Sequence, residues 1–334
     1  EEMDQVRILR KGRGVHVLAA LLVIIPISVY GATGLNSVWS ELTPLPDSHG
    51  FAGPFAGVSG GALIVAGGAN FPDGPPIDGG AKVWHDNVFA LSEASGEWRQ
   101  VGELGRELGY GVSVTWKGQL IGIGGSDSQQ HSSDVFAVRW DGTSLEIDSG
   151  PSLPITLANA AGVLVGDVIY VAGGSLTPQS TKASNQFWKL DLSGGLKESQ
   201  WTEMASWPGP ERMLSVMAVQ NGKVLLVSGA RLLPDGEGGV TREFLKDAFS
   251  FDPEAETWAT ISGPPVPFVA APNPGVPLGY ADVLFSVGDD GEFFFRQNEV
   301  RESHPGFSTQ LYRYNTVTDK WTEAGEFPRV LNIN

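Results

Sequence analysis

An all-β propeller is the fold class that this 334-residue sequence predicts. Three observations carry that expectation. An apolar strand closed by glycine recurs five times, at Gly67-Gly68, Gly124-Gly125, Gly173-Gly174, Ser228-Gly229 and Gly288. A tryptophan follows at similar spacing, at Trp98, Trp201, Trp258 and Trp321, with the second unit lacking one. The composition is rich in glycine and aromatic residues and poor in charge, which suits many short strands joined by tight turns.

The first unit is expected to place strands at 55–59, 62–66 and 87–91, with Trp98 opening a fourth. The second is expected at 110–116, 119–123, 134–138 and 145–148. The third takes 159–165, 168–172 and 186–190, then Trp201. The fourth takes 214–219, 223–227 and 248–251, then Trp258. The fifth takes 276–280, 283–287 and 311–314, then Trp321. A period of about 50 residues with four strands per unit is the kelch type. One such sheet cannot bury both faces alone, so sheets stack around an axis. The glycines let inner strands crowd that axis, and the tryptophans are expected to pack between blades.

A fragment stands ahead of the first unit. Trp39-Ser40-Glu41-Leu42, after Val38 and before Pro44-Leu45-Pro46, matches Trp201-Thr202-Glu203-Met204 and Trp321-Thr322-Glu323-Ala324. The propeller is thus expected over 38–328: an orphan outer strand at 38–46, then five blades, then a truncated tail at 329–334. The plan is six-bladed, with the last blade incomplete in this chain. The alternative is a five-bladed ring with the N-terminal strand as an appendage.

Residues 1–31 carry a basic stretch (Arg7, Arg10, Lys11, Arg13), an apolar run at 15–29 and small residues at Val29 and Gly31. This is the pattern of a signal peptide, or of an N-terminal anchor that would touch a membrane only if uncleaved. A periplasmic or otherwise exported protein is expected.

The absence of cysteine excludes disulfides and thiolate metal sites. A net charge of −16 argues against nucleic acid, whose phosphates demand Lys and Arg. Five scattered histidines give no metal-ligand spacing; His85-Asp86 stands alone, and no metal is expected.

The segments GFAGPFAGVSGGALIVAGGANFPDG (50–74), KVWHDNVFAL (82–91) and LGYGVSVTWKGQLIGIGG (108–125) resemble the N-acetylneuraminate epimerases, or sialic acid mutarotases, in their cyclically permuted branch. The resemblance implies a six-bladed periplasmic propeller that interconverts α and β anomers of sialic acid, a small-molecule sugar acid, without metal or organic cofactor. Such chemistry needs a base for the anomeric hydroxyl and an acid for the ring oxygen. It also needs a cation, usually Arg, for the C1 carboxylate. The family's proposed catalytic Glu and Arg lie in a Gly-Glu-x-x-Pro-Gly-x-Arg stretch. That stretch is absent here; Gly325-Glu326-Phe327-Pro328-Arg329 shares letters but not spacing. No catalytic pair is carried over. The alternative function is a non-catalytic kelch propeller that binds a glycan or a partner protein, or an inactive truncated homologue.

Five residues are candidates for substrate binding. Arg212, in Pro210-Glu211-Arg212-Met213, precedes the inner strand of blade four and resembles the family's Pro-Arg. Asn159 opens the inner strand of blade three. Arg106 and Tyr110 enter blade two, and His49 lies in the loop entering blade one. Arg231 and the Gly-rich loop 232–243 suit a lid or a mobile connection.

Overall fold

The computed structural model describes residues 39–74, 78–236, 238–300 and 303–328. The leader and tail expectations lie outside the described residues.

Five four-stranded antiparallel sheets follow one another along the chain. Blade one uses Phe55–Ser59, Ala62–Ala66, Asn87–Leu91 and Arg99–Glu103. Blade two uses Val112–Trp116, Gln119–Ile123, Val135–Trp140 and Leu145–Ser149. Blade three uses Ala161–Val165, Val168–Ala172, Phe187–Asp191 and Trp201–Met204. Blade four uses Val216–Gln220, Lys223–Val227, Ala248–Asp252 and Thr257–Ile261. Blade five uses Val276–Leu278, Asp282–Gly288, Ser308–Asn315 and Lys320–Glu326. The innermost strands adjoin in chain order.

Side chains alternate across a strand, and each blade sends its two faces into two different cores. Leu120, Phe136 and Val138 of blade two pack on Phe55, Ile64 and Val88 of blade one. Their sequence neighbours Ile121, Val135 and Ala137 pack instead on Ile169, Val171 and Leu190 of blade three. Further layers join blades three and four and four and five. The glycine stations are sterically required. A Cβ at Gly67, Gly124 or Gly173, all at positive φ, would collide with the carbonyl oxygen of Leu108, Leu157 or Arg212 in the next blade.

The tryptophans staple blade to blade. Indole Nε1–H donates to the preceding blade's backbone from Trp201 to Pro151 (2.9 Å), Trp258 to Ala205 (2.9 Å) and Trp321 to Ser262 (2.7 Å). Removing one such donor costs about 1 kcal/mol. Trp258→Phe is therefore expected to lower the urea midpoint modestly and to leave the fold intact.

Residues 39–46 form no strand, which corrects the expectation of an orphan outer strand. Among the described residues they pair with no strand; Trp39 instead packs on Phe327, just after blade five's outer strand, with ring centres 5.0 Å apart. They nevertheless hold an outer strand's place. Trp98 donates to the Thr43 carbonyl at 2.8 Å. Thr43 stands four residues after Trp39, as Ala205 does after Trp201 and Ser262 after Trp258.

The inner strands begin two residues later than 110, 159 and 214. Those positions are left-handed instead: φ is 60° at Tyr110, 57° at Asn159 and 56° at Leu214, with Gly53 (60°) and Ala270 (50°) matching them. This conformation turns each backbone toward its neighbour and builds a relay around the axis. The N–H of Tyr110 donates to Gly53 (2.7 Å), Asn159 to Tyr110 (2.9 Å), Leu214 to Asn159 (2.8 Å) and Ala270 to Leu214 (3.1 Å). Among the described residues the Gly53 N–H and the Ala270 carbonyl have no partner.

Candidate functional site

In each blade a residue ahead of the first strand bridges a residue just after the second, as in Ala52 with Ala69 and Ala158 with Ser175. The long connections between second and third strands therefore gather at one end of the sheets, around the relay. The opposite end carries short turns such as Gly60-Gly61 and Lys117-Gly118. Loops of this kind, on a rigid scaffold, are where binding residues concentrate.

Two adjoining cavities open on the loop face, beside a smaller one of about 290 Å³ lined by the 288–309 connection of blade five. The axial one, about 430 Å³, is lined by all five relay positions, by Ser215 and by Asn273. Tyr110 stands in its wall, edge-on to Trp84 (5.4 Å), with Lys82 Nζ 4.1 Å from its ring centre. Burial pushes the Tyr110 phenol up to about 12, so it is neutral and can donate. A Cβ at Gly53 would lie 2.6 Å from that ring, so glycine there lets the tyrosine pack. The Ser215 hydroxyl is buried without a hydrogen-bond partner among the described residues.

The lateral cavity, about 470 Å³, lies beside the axial one and shares Asn159 with it. Its walls include His131, Ser175, Thr177, Arg242 and Phe294. His131 is only 6% exposed. Its Nδ1 meets Ser126 Oγ at 3.0 Å and its Nε2 meets Ser175 Oγ at 3.1 Å. Burial lowers its pKa below the usual histidine value, against the pull of Asp127, so the ring is neutral at neutral pH.

Arg242 arrives on a two-stranded hairpin, Ala230–Pro234 with Val240–Phe244, inserted in the long connection of blade four. The register sets Arg231 opposite Glu243 and Leu232 opposite Arg242. Period-2 alternation puts the two pairs on opposite faces. Arg231 and Glu243 join in an ion pair (2.6 Å). On the other face, Leu232 is buried and lines the cavity with Arg242. The Arg242 guanidinium lies 5.0 Å from the Phe294 ring centre.

The sequence candidates fall in different places. Tyr110 and Asn159 come together in the axial cavity. Arg212 does not: it is fully buried, between Trp207 (5.4 Å) and Phe249 (5.1 Å). It donates to both Asp247 carboxylate oxygens (2.9 and 2.8 Å) and to the carbonyls of Ser228 and Pro210. Every guanidinium donor is thus used inside the protein, and Arg212 ties loop to blade rather than facing a ligand. Arg106 pairs with Asp127 (3.1 Å) and Asp134 and lines a smaller peripheral cavity of about 210 Å³. His49 is exposed, 3.2 Å from Ser48 Oγ, and lines none of these loop-face cavities. His131 and Arg242 were not among the sequence candidates.

Fold and cavities together define a kelch-type propeller whose polar sites lie on one loop-bearing face. A family model described as N-acetylneuraminate epimerase matches residues 29–147 and 150–273, more than half of the chain, and the chain belongs to that family. The N-acetylneuraminate epimerase of Haemophilus influenzae (strain 86-028NP) is 35% identical over 197 residues, covering 53% of this chain and 49% of the relative. That of Salmonella arizonae is 41% identical over 102 residues, covering 27% and 26%. That of Pasteurella multocida is 33% identical over 142 residues, covering 37% of each. The chain thus matches about half or less of the length of these curated relatives. The solved structure of YjhT has the same fold, with a TM-score of 0.63 at 14% identity, covering 76% of this chain and 82% of that one.

Proposed function

We propose that the chain interconverts the anomers of N-acetylneuraminate or a closely related sugar acid by opening and reclosing the pyranose ring at the loop face. The observation that carries this reading is the lateral cavity of a chain in this family. It gathers a neutral imidazole, hydroxyls and the Asn159 amide around a volume suited to one sugar. Ring opening removes a proton from the anomeric hydroxyl and delivers one to the ring oxygen. His131 accepts the first proton, with the Ser175 hydroxyl as the link between imidazole and cavity, and the imidazolium so formed returns it to the ring oxygen as the C–O bond breaks. Asn159 and Thr177 hold sugar hydroxyls by hydrogen bonds.

The test is exchange between anomers followed by proton NMR. His131→Gln is expected to slow it about tenfold, because water and Ser175 remain to carry protons. The rate is also expected to fall as pH drops through the lowered His131 pKa, since protonation removes the acceptor. A rate that rises with acidity would contradict the assignment.

A second reading is a non-catalytic propeller that binds a glycan, since the same fold and cavities serve binding without chemistry. Sugar binding without faster anomer exchange separates the two. An exported location rests on the leader's pattern, and cell fractionation tests it.

We also propose the six-bladed plan, with a further sheet seated between blades five and one. The relay is open there, between the Ala270 carbonyl and the Gly53 N–H. Val58 of blade one and Val276 of blade five lie on the faces turned from their neighbours, 43% and 53% exposed. Apolar faces of this kind call for cover, and Thr43 already sits in an outer strand's place.

A further inference from the structure

The described arginines divide sharply by partner. Arg106, Arg139, Arg212, Arg231, Arg296 and Arg313 each have a carboxylate within ion-pair distance. Among the described residues only Arg99 and Arg242 have none. Arg99 lies exposed on an outer strand, where water solvates it. Arg242 is half-buried in the wall of the lateral cavity. An arginine keeps its charge at any physiological pH. A charge withdrawn from water and left without a counter-ion is costly, and an anion entering the cavity relieves that cost.

The geometry says how the anion would be held. With Phe294 against the guanidinium, the donors along its edge remain open. That edge matches the two oxygens of a carboxylate. Asp289 acts on it electrostatically, but among the described residues no carboxylate lies within ion-pair distance of Arg242. The Asp289 carboxylate is instead engaged by the Gly291 backbone N–H at 2.8 Å.

We propose that Arg242, braced by Phe294, is the carboxylate clamp of the lateral cavity and the residue that makes it select acid sugars over neutral ones. This rests on the sugar-acid reading above and adds the residue that sets specificity. Asn159, Thr177 and Ser175 then face the hydroxyl-bearing part of the bound ring.

The test is calorimetric titration with N-acetylneuraminate and with its uncharged methyl ester. The wild-type protein is expected to bind the acid about tenfold or more tightly than the ester. Arg242→Met is expected to bind acid and ester alike at unchanged thermal midpoint, and Arg242→Lys to regain part of the preference, since a lysine restores charge without the fork. An acid preference that survives Arg242→Met overturns the clamp while leaving the sugar-acid reading intact. Failure of the wild-type protein to bind either ligand overturns both. The acid-to-ester ratio in the wild-type protein needs no variant to fold: a ratio near one also overturns the clamp.

Discussion

Arg212→Met is expected to lose about 3 kcal/mol of stability while leaving sugar affinity in the folded protein unchanged. The side chain is fully buried, with its guanidinium 5.4 Å from the Trp207 ring centre and 5.1 Å from that of Phe249. Methionine fills much of that slot but supplies no donor. The Asp247 carboxylate, 31% exposed, loses its partner. The Ser228 carbonyl loses its donor as well, while the Pro210 carbonyl keeps the Trp207 indole N–H at 2.9 Å. Stranded polar groups, not lost attraction, account for most of the cost. Urea denaturation reads the loss and titration with the sugar reads the affinity. A normal midpoint with weakened binding would return Arg212 to the ligand site.

Amide exchange around the axis is expected to show one break. The N–H groups of Tyr110, Asn159, Leu214 and Ala270 are each tied to the preceding blade. Gly53 N–H has no such tie among the described residues and should exchange about a hundredfold faster. Seating a sixth sheet supplies a carbonyl for Gly53 and a donor for the Ala270 oxygen, so it should bring Gly53 to the rate of the others. Hydrogen exchange read by mass spectrometry or NMR measures this. A Gly53 amide already as slow as Asn159 would mean that the cleft is closed in another way.

The blades were legible because propeller architecture repeats its constraints. Glycine is forced wherever a second strand ends against the next blade's carbonyl, as Gly67 and Gly124 show. Tryptophan recurs because one indole spans two sheets. Strand starts were misplaced at Tyr110, Asn159 and Leu214 because their left-handed turn is imposed by the neighbouring blade and leaves no local composition signal. The orphan fragment forms no strand at 39–46, since a strand needs a partner to pair with.

The site was harder to read. Arg212 has the residue type and position of a ligand contact, and only three-dimensional packing shows that Asp247, 35 residues on, claims it. Arg242 did leave a signal. The hairpin alternates, so Arg231 with Glu243 and Leu232 with Arg242 are opposite-face pairs. An arginine sharing a face with a buried leucine is an arginine turned inward. His131 left little: Ser126 stands five residues before it, but the second hydroxyl partner, Ser175, belongs to the next blade, 44 residues away.

The most direct test of the account is the decay of pure α-N-acetylneuraminate to its anomeric equilibrium, followed by proton NMR with and without the protein at the same pH. The account predicts faster decay with the protein, and faster still in proportion to its concentration. A decay identical to that in buffer, under conditions where the sugar acid binds, would contradict catalysis and leave a binding propeller.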